Sequence, residues 1–303
     1  MTGPTAPDAL RATGLGFRFR ARGDWALRDC GMTVPTGRIA ALVGHNGAGK
    51  STLLHLAAGL LRPGTGELRV LGAVPGTPEA RDRVALLTQD KPLYPRLTVA
   101  DTLRLGARLN RTWEQRTAER IVGEGGVPLT ARVGELSPGR RTRVALALAL
   151  GKRPDLLLLD EPLADLDPLA REQIMATLMA EAAERPVTIV LSSHVLPELE
   201  QTCDWVVLLR SGRVELCEDA DELRTSHSLL MGHRDGAAAL TGHTVVHSRT
   251  NGRQITALVR HRSPVDGDWH VRRPSLEDVL LGHLRATAAP GADGGAGAAE
   301  VAA

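Results

Sequence analysis

Short runs of apolar residues recur along the first two thirds of the chain, and helical patterns separate them. The runs IAALV (39–43), LLLLD (156–160) and VTIVLSSH (187–194) show little polar alternation, as expected of parallel strands buried on both faces. A helical pattern fills 98–122, and short polar and apolar segments fill 15–35. Alternating strands and helices predict an α/β core with a parallel sheet and further strands at an edge.

The texture of the chain changes after Arg224. The segment TVVHSRTNGRQITALV alternates with period two around Asn251-Gly252, which predicts a β-hairpin. We therefore expect one large domain over 8–224 and a small β-rich accessory domain over 226–285. The Gly/Ala-rich end, 286–303, predicts a disordered tail.

Composition restricts the function only in part. A formal net charge of +2 over 303 residues does not indicate a nucleic-acid partner. Cys30, Cys203 and Cys217 are odd in number and widely spaced, which predicts buried thiols in a reducing compartment rather than disulfides. No apolar run reaches the ~18 residues of a membrane helix, and no secretory signal is evident. We expect a cytoplasmic protein that reaches a membrane only through a partner.

The segment GHNGAGKST follows the strand IAALV and precedes a helical pattern. It satisfies G-x-x-x-x-G-K-[ST] in the structural context that this phosphate-binding motif requires. Its glycines allow backbone N–H groups to converge on phosphate oxygens. Lys50 places a charge near the β and γ phosphates, and the hydroxyl of Ser51 suits Mg²⁺.

The segment LLLLDEP ends a predicted strand with Asp160 and Glu161. A carboxylate at this position suits a Mg²⁺ ligand, and Glu161 beside it is placed to activate water. Gln89 and His194 follow other predicted strands. Gln89 could contact Mg²⁺ or the attacking water, and the imidazole of His194 could hydrogen-bond the γ-phosphate. A lone glutamine is a weak signal, and a lone histidine is more often structural, but the position of His194 at a strand end favours the functional role.

These motifs, in this order, resemble the nucleotide-binding subunit of an ABC transporter. The resemblance runs from about Leu15 to Leu223 and includes the glutamine loop VALLTQD, the signature ELSPGRR, the aspartate loop LADLDP and the switch segment SSH. It implies a P-loop NTPase core with a parallel sheet, an antiparallel β edge and an inserted helical subdomain at about 90–153. It also implies ATP and Mg²⁺ as cofactors.

The resemblance assigns a role to individual residues of this sequence. The implied ATP-binding residues are Phe19, Gly44, His45, Asn46, Gly47, Ala48, Gly49, Lys50, Ser51 and Thr52. Those implied for catalysis are Glu161, His194, Gln89 and Lys50, and those for Mg²⁺ are Ser51, Gln89 and Asp160. Phe19 stands where the family usually has an adenine-stacking tyrosine; a core position for Phe19, with Trp25 as the substitute, is the alternative.

The signature departs from the family pattern Leu-Ser-Gly-Gly-Gln. It reads Leu-Ser-Pro-Gly-Arg here, and the resemblance assigns Ser137, Pro138, Gly139 and Arg140 to contact the ATP of a partner subunit, with Asp167 in the dimer loop. Ser137 can cap a helix, and proline is favoured at a first helical position. We therefore expect a working contact; a weakened site that binds ATP and turns it over slowly is the competing hypothesis.

The implied partners are a separate membrane permease and a second ATP-binding subunit, expected to form a homodimer. DKPLYPRLTVADTL (90–103) is the predicted permease contact. PSLEDVLL (274–281) resembles the C-terminal extension of drug or polyketide exporter ATPases, which favours export.

Two alternative functions stay open. One is a nucleotide-gated regulatory subunit with weak hydrolysis. The other is a soluble ABC ATPase outside transport, which the single ATPase unit and the absence of heptads disfavour.

Overall fold

A computed structural model describes residues 8–164, 166–193, 195–234, 236, 240, 243–261 and 268–286. The chain divides into two compact units between Leu223 and Arg224, and each unit is described by itself. Residues 287–303 of the predicted disordered tail lie outside the described residues.

A six-stranded sheet forms the centre of the first unit. Its strands are β3 (Ile39–Val43), β5 (Val84–Leu87), β6 (Leu156–Asp160), β7 (Thr188–Ser193), β8 (Trp205–Arg210) and β9 (Arg213–Asp219). The order is β5-β6-β7-β3-β8-β9, and only β9 runs antiparallel to its neighbour. Every residue of β3, β6 and β7 is buried, which confirms the interpretation of the apolar runs as strands covered on both faces.

A three-stranded antiparallel sheet lies beside the parallel sheet and confirms the predicted β edge. Its strands are β1 (Leu10–Phe17), β2 (Leu27–Val34) and β4 (Thr65–Val70), in the order β2-β1-β4. The main core cluster joins the two sheets to α1 (Lys50–Ala57) and includes Leu15, Leu42, Leu54 and Leu158. The sheet therefore holds the start of α1, where the phosphate loop ends, against fully buried side chains.

The remaining helices of the first unit lie between these strands and after them. They are α2 (Pro78–Arg83), α3 (Val99–Leu109), α4 (Gln115–Glu124), α5 (Pro138–Gly151), α6 (Pro168–Glu184) and α7 (Leu196–Leu199), with a 3₁₀ turn at Val133–Glu135. The short helix α8 (Ala220–Ser226) contains the boundary between Leu223 and Arg224. The helices α3 to α5 fall within the segment predicted as a helical subdomain. Glu181 on α6 is fully buried and forms an ion pair with Arg120 on α4, so α4 is tied to α6.

The second unit contains a four-stranded antiparallel sheet and one helix. The elements are β10 (His227–His233), β11 (Thr244–Asn251), β12 (Gln254–Arg260), β13 (His270–Arg272) and α9 (Leu276–Arg285), with strand order β11-β12-β10-β13. The predicted hairpin is confirmed as β11–β12, which closes at the pair Asn251 and Gln254. Gly252 in this turn has φ +59°, a conformation that glycine adopts without steric cost.

All three cysteines are free thiols, as the sequence predicted. Cys30 and Cys203 are buried, whereas Cys217 is half-buried. Burial raises the pKa of Cys203 to about 12 and also raises the pKa of Cys30 and of Cys217. The thiols are therefore protonated at neutral pH and behave as small apolar side chains.

Candidate nucleotide site

The phosphate loop connects the end of β3 to the start of α1. Its glycines at 44 and 49 are required by close packing: a Cβ at Gly44 would lie 2.4 Å from the carbonyl oxygen of Leu209, and one at Gly49 would lie 2.6 Å from that of Ala26. Gly49 also has φ +106°. The loop conformation is therefore closed to larger residues at both positions, and its backbone stays accessible to a phosphate group.

Lys50 is the first residue of α1 and is almost fully buried. Its Nζ donates a 2.8 Å hydrogen bond to the carbonyl oxygen of Gly44 and lies 3.5 Å from Oε1 of Glu161. The side chains of Lys50 and Glu161 are 7% and 11% exposed. The ammonium group is thus held between the phosphate loop and the end of β6, where little solvent screens its charge.

The ends of β6 and β7 form a hydrogen-bonded cluster of three residues. Ser192 donates a 2.8 Å hydrogen bond to Oδ1 of Asp160 and accepts one of 2.8 Å from the backbone N–H of Glu161. Glu161 has φ +46°, in the left-handed region that side chains other than glycine rarely adopt. Sequence reasoning missed Ser192, because its contacts follow from the register of β6 against β7.

A cleft of about 430 Å³ brings most of the predicted ATP-binding residues together. It is lined by Phe19, Ala26, Asn46, Gly47, Ala48, Gly49, Lys50, Ser51, Thr52, Gln89 and Glu161. Gly44 and His45 belong to the same loop but not to this lining, and Asp160 is buried and does not line the cleft. His194 lies outside the described residues, so its predicted role stays a prediction.

The oxygen donors near the cleft suit Mg²⁺. Ser51 and Gln89 line the cleft and offer a hydroxyl and an amide oxygen, and Asp160 contributes a carboxylate at the end of β6. Hard oxygen ligands of this kind are the ones that Mg²⁺ prefers. Among the described residues no group of three or more His, Cys, Asp or Glu side chains could hold a metal ion.

Phe19 lies at the mouth of the cleft and is 71% exposed. Its ring meets that of Phe17 edge to face, with 5.0 Å between centroids. The guanidinium of Arg18 lies 4.3 Å from the centroid of Trp25, and Trp25 does not belong to the lining. Phe19 therefore presents an exposed ring at the cleft, whereas Trp25 does not line it.

The signature segment begins α5. Ser137 is the N-cap and accepts a hydrogen bond of 3.5 Å from the backbone N–H of Arg140, and Pro138 is the first helical residue. The predicted cap and the predicted position of proline are therefore confirmed. The departure from the usual glycine leaves the helix start intact, because proline is compatible with that position.

A second hollow, of about 190 Å³, lies beside the signature segment. It is lined by Gly125, Ser137, Pro138, Gly139, Arg140, Arg143, Leu166, Asp167, Ala170, Gln173 and Ile174. Asp167 caps α6 by accepting a 2.9 Å hydrogen bond from the backbone N–H of Ala170. No described residue lines both cavities, so the signature segment of this chain faces a different space from its own phosphate loop.

The phosphate loop after β3, the acidic pair at the end of β6 and the parallel sheet that contains both strands define the class of protein as a P-loop ATPase. The family named ABC transporter matches residues 27–164. The chain is 40% identical over 214 residues to the aliphatic sulfonates import ATP-binding protein SsuB 2 of Pseudomonas aeruginosa (strain UCBPP-PA14), a match that covers 69% of this chain and 74% of that protein. The chain belongs to the family of ABC transporter ATP-binding subunits.

Further relatives give the same family. The thiamine import ATP-binding protein ThiQ of Shigella flexneri serotype 5b (strain 8401) is 36% identical over 211 residues, which cover 66% of this chain and 90% of that protein. A solved ATP-binding subunit of an ABC transporter is 30% identical, covers 72% of this chain and 92% of its own, and superposes with a TM-score of 0.65.

Membership in this family makes the chain an ATPase that binds ATP. The resemblance stated from the sequence is therefore confirmed for family, fold and activity. The expectation of export is not supported, because the relatives SsuB 2 and ThiQ are both named for import. None of the described helices has the length and apolar character needed to cross a membrane.

Proposed function

We propose that this chain is the ATP-hydrolysing subunit of a membrane transporter and that Glu161 activates the attacking water. The observation that carries the proposal is the approach of Glu161 Oε1 to Lys50 Nζ, at 3.5 Å, inside the cleft formed by the phosphate loop. The contact supports the proposal because a general base is needed beside the group that holds the γ-phosphate, the role proposed here for Lys50. The two groups needed for hydrolysis therefore meet although 110 residues separate them along the chain.

The other residues of the cleft bind and orient the nucleotide in this proposal. The backbone N–H groups of the phosphate loop and the positive end of α1 hold the phosphates. Phe19 stacks on the adenine. Ser51, Gln89 and Asp160 hold Mg²⁺, which supplies charge neutralisation on the phosphate oxygens. On the basis of the resemblance alone, we propose that His194 forms a hydrogen bond to the γ-phosphate.

We propose that a second copy of the chain completes the site. The hollow that contains Ser137, Gly139, Arg140 and Asp167 is separate from the phosphate loop of the same chain. Ser137 and the start of α5 are suited to an anion. A head-to-tail homodimer would place this segment of each chain on the ATP of the other.

Pro138→Gly tests whether the unusual signature works. Because proline is favoured at the first helical position that Pro138 occupies, we expect the ATP turnover of the purified variant to stay within about threefold of the unmodified chain. Steady-state hydrolysis at saturating ATP measures this. Ala170→Gly, which changes another residue of the same hollow, is the control for added flexibility. A turnover raised tenfold by Pro138→Gly alone would favour the weakened site.

A separate membrane permease is the proposed partner. Its proposed docking site is a third cavity, a surface cleft of about 430 Å³ that is distinct from the nucleotide cleft and from the signature hollow. The cleft is lined by Ala58, Leu60, Arg81, Val84, Ala85, Leu86, Leu87, Thr88, Lys91, Pro92, Leu93, Ala145, Leu148, Ala149 and Lys152. Lys91, Pro92 and Leu93 come from the segment 90–103 that the sequence predicted as the contact. Peripheral attachment to the cytoplasmic face of the membrane through the permease follows from this proposal.

Two exposed leucines provide a matched test of the docking site. Leu60 is 65% exposed and lines this cleft, whereas Leu109 is 73% exposed and does not. In cells that express the chain with its permease, we expect Leu60→Asp to move most of the protein from the membrane to the supernatant fraction, because it places a charge in an apolar interface. Leu109→Asp should leave the distribution unchanged. An unmodified chain that never sediments with membranes would favour a soluble ABC ATPase outside transport.

We propose that the transporter exports its cargo, and this proposal rests on the C-terminal unit alone. The segment PSLEDVLL, which resembles exporter extensions, forms most of α9, and Ser275 and Asp278 cap that helix reciprocally. The relatives named for import weigh against this direction. Transport assays with inside-out vesicles that contain the whole transporter decide the direction. ATP-driven accumulation of cargo in these vesicles would mean export. No accumulation in the vesicles, together with uptake of cargo by intact cells, would mean import.

A further inference from the structure

Ser192 is a fully buried hydroxyl at the end of β7. It is the Cα partner of Asp160 in the parallel ladder between β6 and β7. A buried hydroxyl is costly unless its hydrogen bonds are satisfied. Among the described residues it forms hydrogen bonds with Asp160 and Glu161, which are the two acidic residues of the proposed hydrolysis site.

The two hydrogen bonds have fixed directions. The backbone N–H of Glu161 can only donate, so it occupies a lone pair on Oγ of Ser192. The single hydroxyl proton is then directed to Oδ1 of Asp160. The hydroxyl group of Ser192 therefore defines the orientation of the Asp160 carboxylate. It also defines the position of the peptide group that joins Asp160 to Glu161.

The backbone of Glu161 requires such a restraint. Its φ of +46° belongs to a region that non-glycine residues populate sparsely. The bond from its N–H to Ser192 is made by the same peptide group whose rotation sets this angle. Loss of that bond would let the residue relax, and the carboxylate, 3.5 Å from Lys50 Nζ, would move with it.

We propose that Ser192 is a positioning residue for ATP hydrolysis: its hydroxyl orients the Asp160 carboxylate and holds Glu161 in its left-handed backbone conformation. The proposal rests on the roles proposed above for Asp160 and Glu161. Ser192 acts through these two residues and does not line the cleft. Its removal therefore affects the Mg²⁺-dependent part of nucleotide binding and the rate of hydrolysis, but not the phosphate loop itself.

Thr188 provides a matched comparison on the same strand. It is 1% exposed, and its hydroxyl accepts a 2.9 Å hydrogen bond from the backbone N–H of Gly37. It thus resembles Ser192 in burial, strand and type of backbone contact, but it lies at the opposite end of β7 and its hydroxyl is paired with no acidic residue of the hydrolysis site. A purely structural role predicts similar consequences for both residues.

The experiment compares Ser192→Ala, Ser192→Thr, Ser192→Val and Thr188→Val in the full chain. Threonine keeps the hydroxyl, and valine has nearly the same shape without it. Three quantities are measured for each protein: the melting temperature, the affinity for ATP by calorimetry with EDTA and then with Mg²⁺, and the single-turnover rate of hydrolysis. The gain in affinity on adding Mg²⁺ is a readout that is independent of activity.

For Ser192→Ala we expect the single-turnover rate to fall by about tenfold or more, because hydrogen bonds at both acidic residues are lost. Its affinity for ATP in EDTA should stay within about twofold, while the gain from Mg²⁺ should fall by about fivefold. Ser192→Thr should keep both values within about threefold of the unmodified chain. Thr188→Val should lower the melting temperature but leave the rate and the Mg²⁺ gain unchanged.

The outcomes separate this proposal from the proposed function. It is overturned if Ser192→Ala keeps the unmodified rate and Mg²⁺ gain, if Thr188→Val loses as much, or if threonine and valine at 192 behave alike. Should Ser192→Ala fail to fold, the threonine and valine variants decide. If Glu161→Gln hydrolyses ATP normally, the proposed function of Glu161 is wrong. The gain in ATP affinity on adding Mg²⁺, measured in Ser192→Thr and Ser192→Val, still tests whether Ser192 orients Asp160.

Discussion

Glu161→Gln is expected to lower ATP turnover by about a hundredfold or more while ATP still binds. The substitution keeps the shape of the side chain and removes the proposed base, a carboxylate that lines the cleft 3.5 Å from Lys50 Nζ. Since the phosphate loop is unchanged, nucleotide should remain bound and trap the dimer. Single-turnover hydrolysis, followed by size-exclusion chromatography with ATP, measures both effects.

The matched control is Glu172→Gln, an exposed position on α6, which should leave turnover unchanged. Normal hydrolysis by Glu161→Gln would contradict the assignment of Glu161 as the base. Tight ATP binding without turnover in the unmodified chain would have two explanations: a nucleotide-gated subunit, or an ATPase that is silent until its permease is added.

Lys50→Ala is expected to weaken ATP binding by about ten- to a hundredfold, as the loss of a charge-assisted phosphate contact predicts. Lys50 is the lysine in the cleft lining, and its ammonium group is buried between the Gly44 carbonyl and Glu161. Its removal takes the cation from the phosphate position and also from beside the proposed base. Calorimetric titration of the purified variant with ATP measures the change.

Lys152→Ala controls for the structural part of this effect. The Nζ of Lys152 donates to the carbonyl oxygens of Arg81 and Val84, at 2.6 and 2.7 Å, and burial lowers its pKa. Both lysines therefore hold backbone carbonyl groups, but Lys152 does not line the nucleotide cleft. Its substitution should destabilise the chain and leave ATP affinity unchanged. Equal losses of affinity in the two variants would remove Lys50 from its assigned role.

The elements that the sequence predicted well carry their signals locally. The runs at 39–43 and 156–160 are apolar throughout, because these strands are buried on both faces. Ser137 and Pro138 predicted the start of α5, since capping depends on residues a few positions apart. The Asn251-Gly252 turn predicted its hairpin for the same reason. In each case a few neighbouring residues determine the structure.

The features that the sequence did not predict depend on distant partners. β10 was not assigned, because its pairing with β12 and β13 is set by strands that follow much later. The role of Ser192 depends on one register between β6 and β7. The separation of the signature hollow from the nucleotide cleft likewise depends on residues that are far apart in the sequence.

The position of β3 in the six-stranded sheet has a consequence for the order of folding during synthesis. This strand precedes the phosphate loop, yet both of its neighbours, β7 and β8, come from residues 188–210. The ribosome must therefore release most of the first unit before β3 can be paired on either side. Until then its apolar residues depend on transient shielding, as is usual for sheets with long-range pairing.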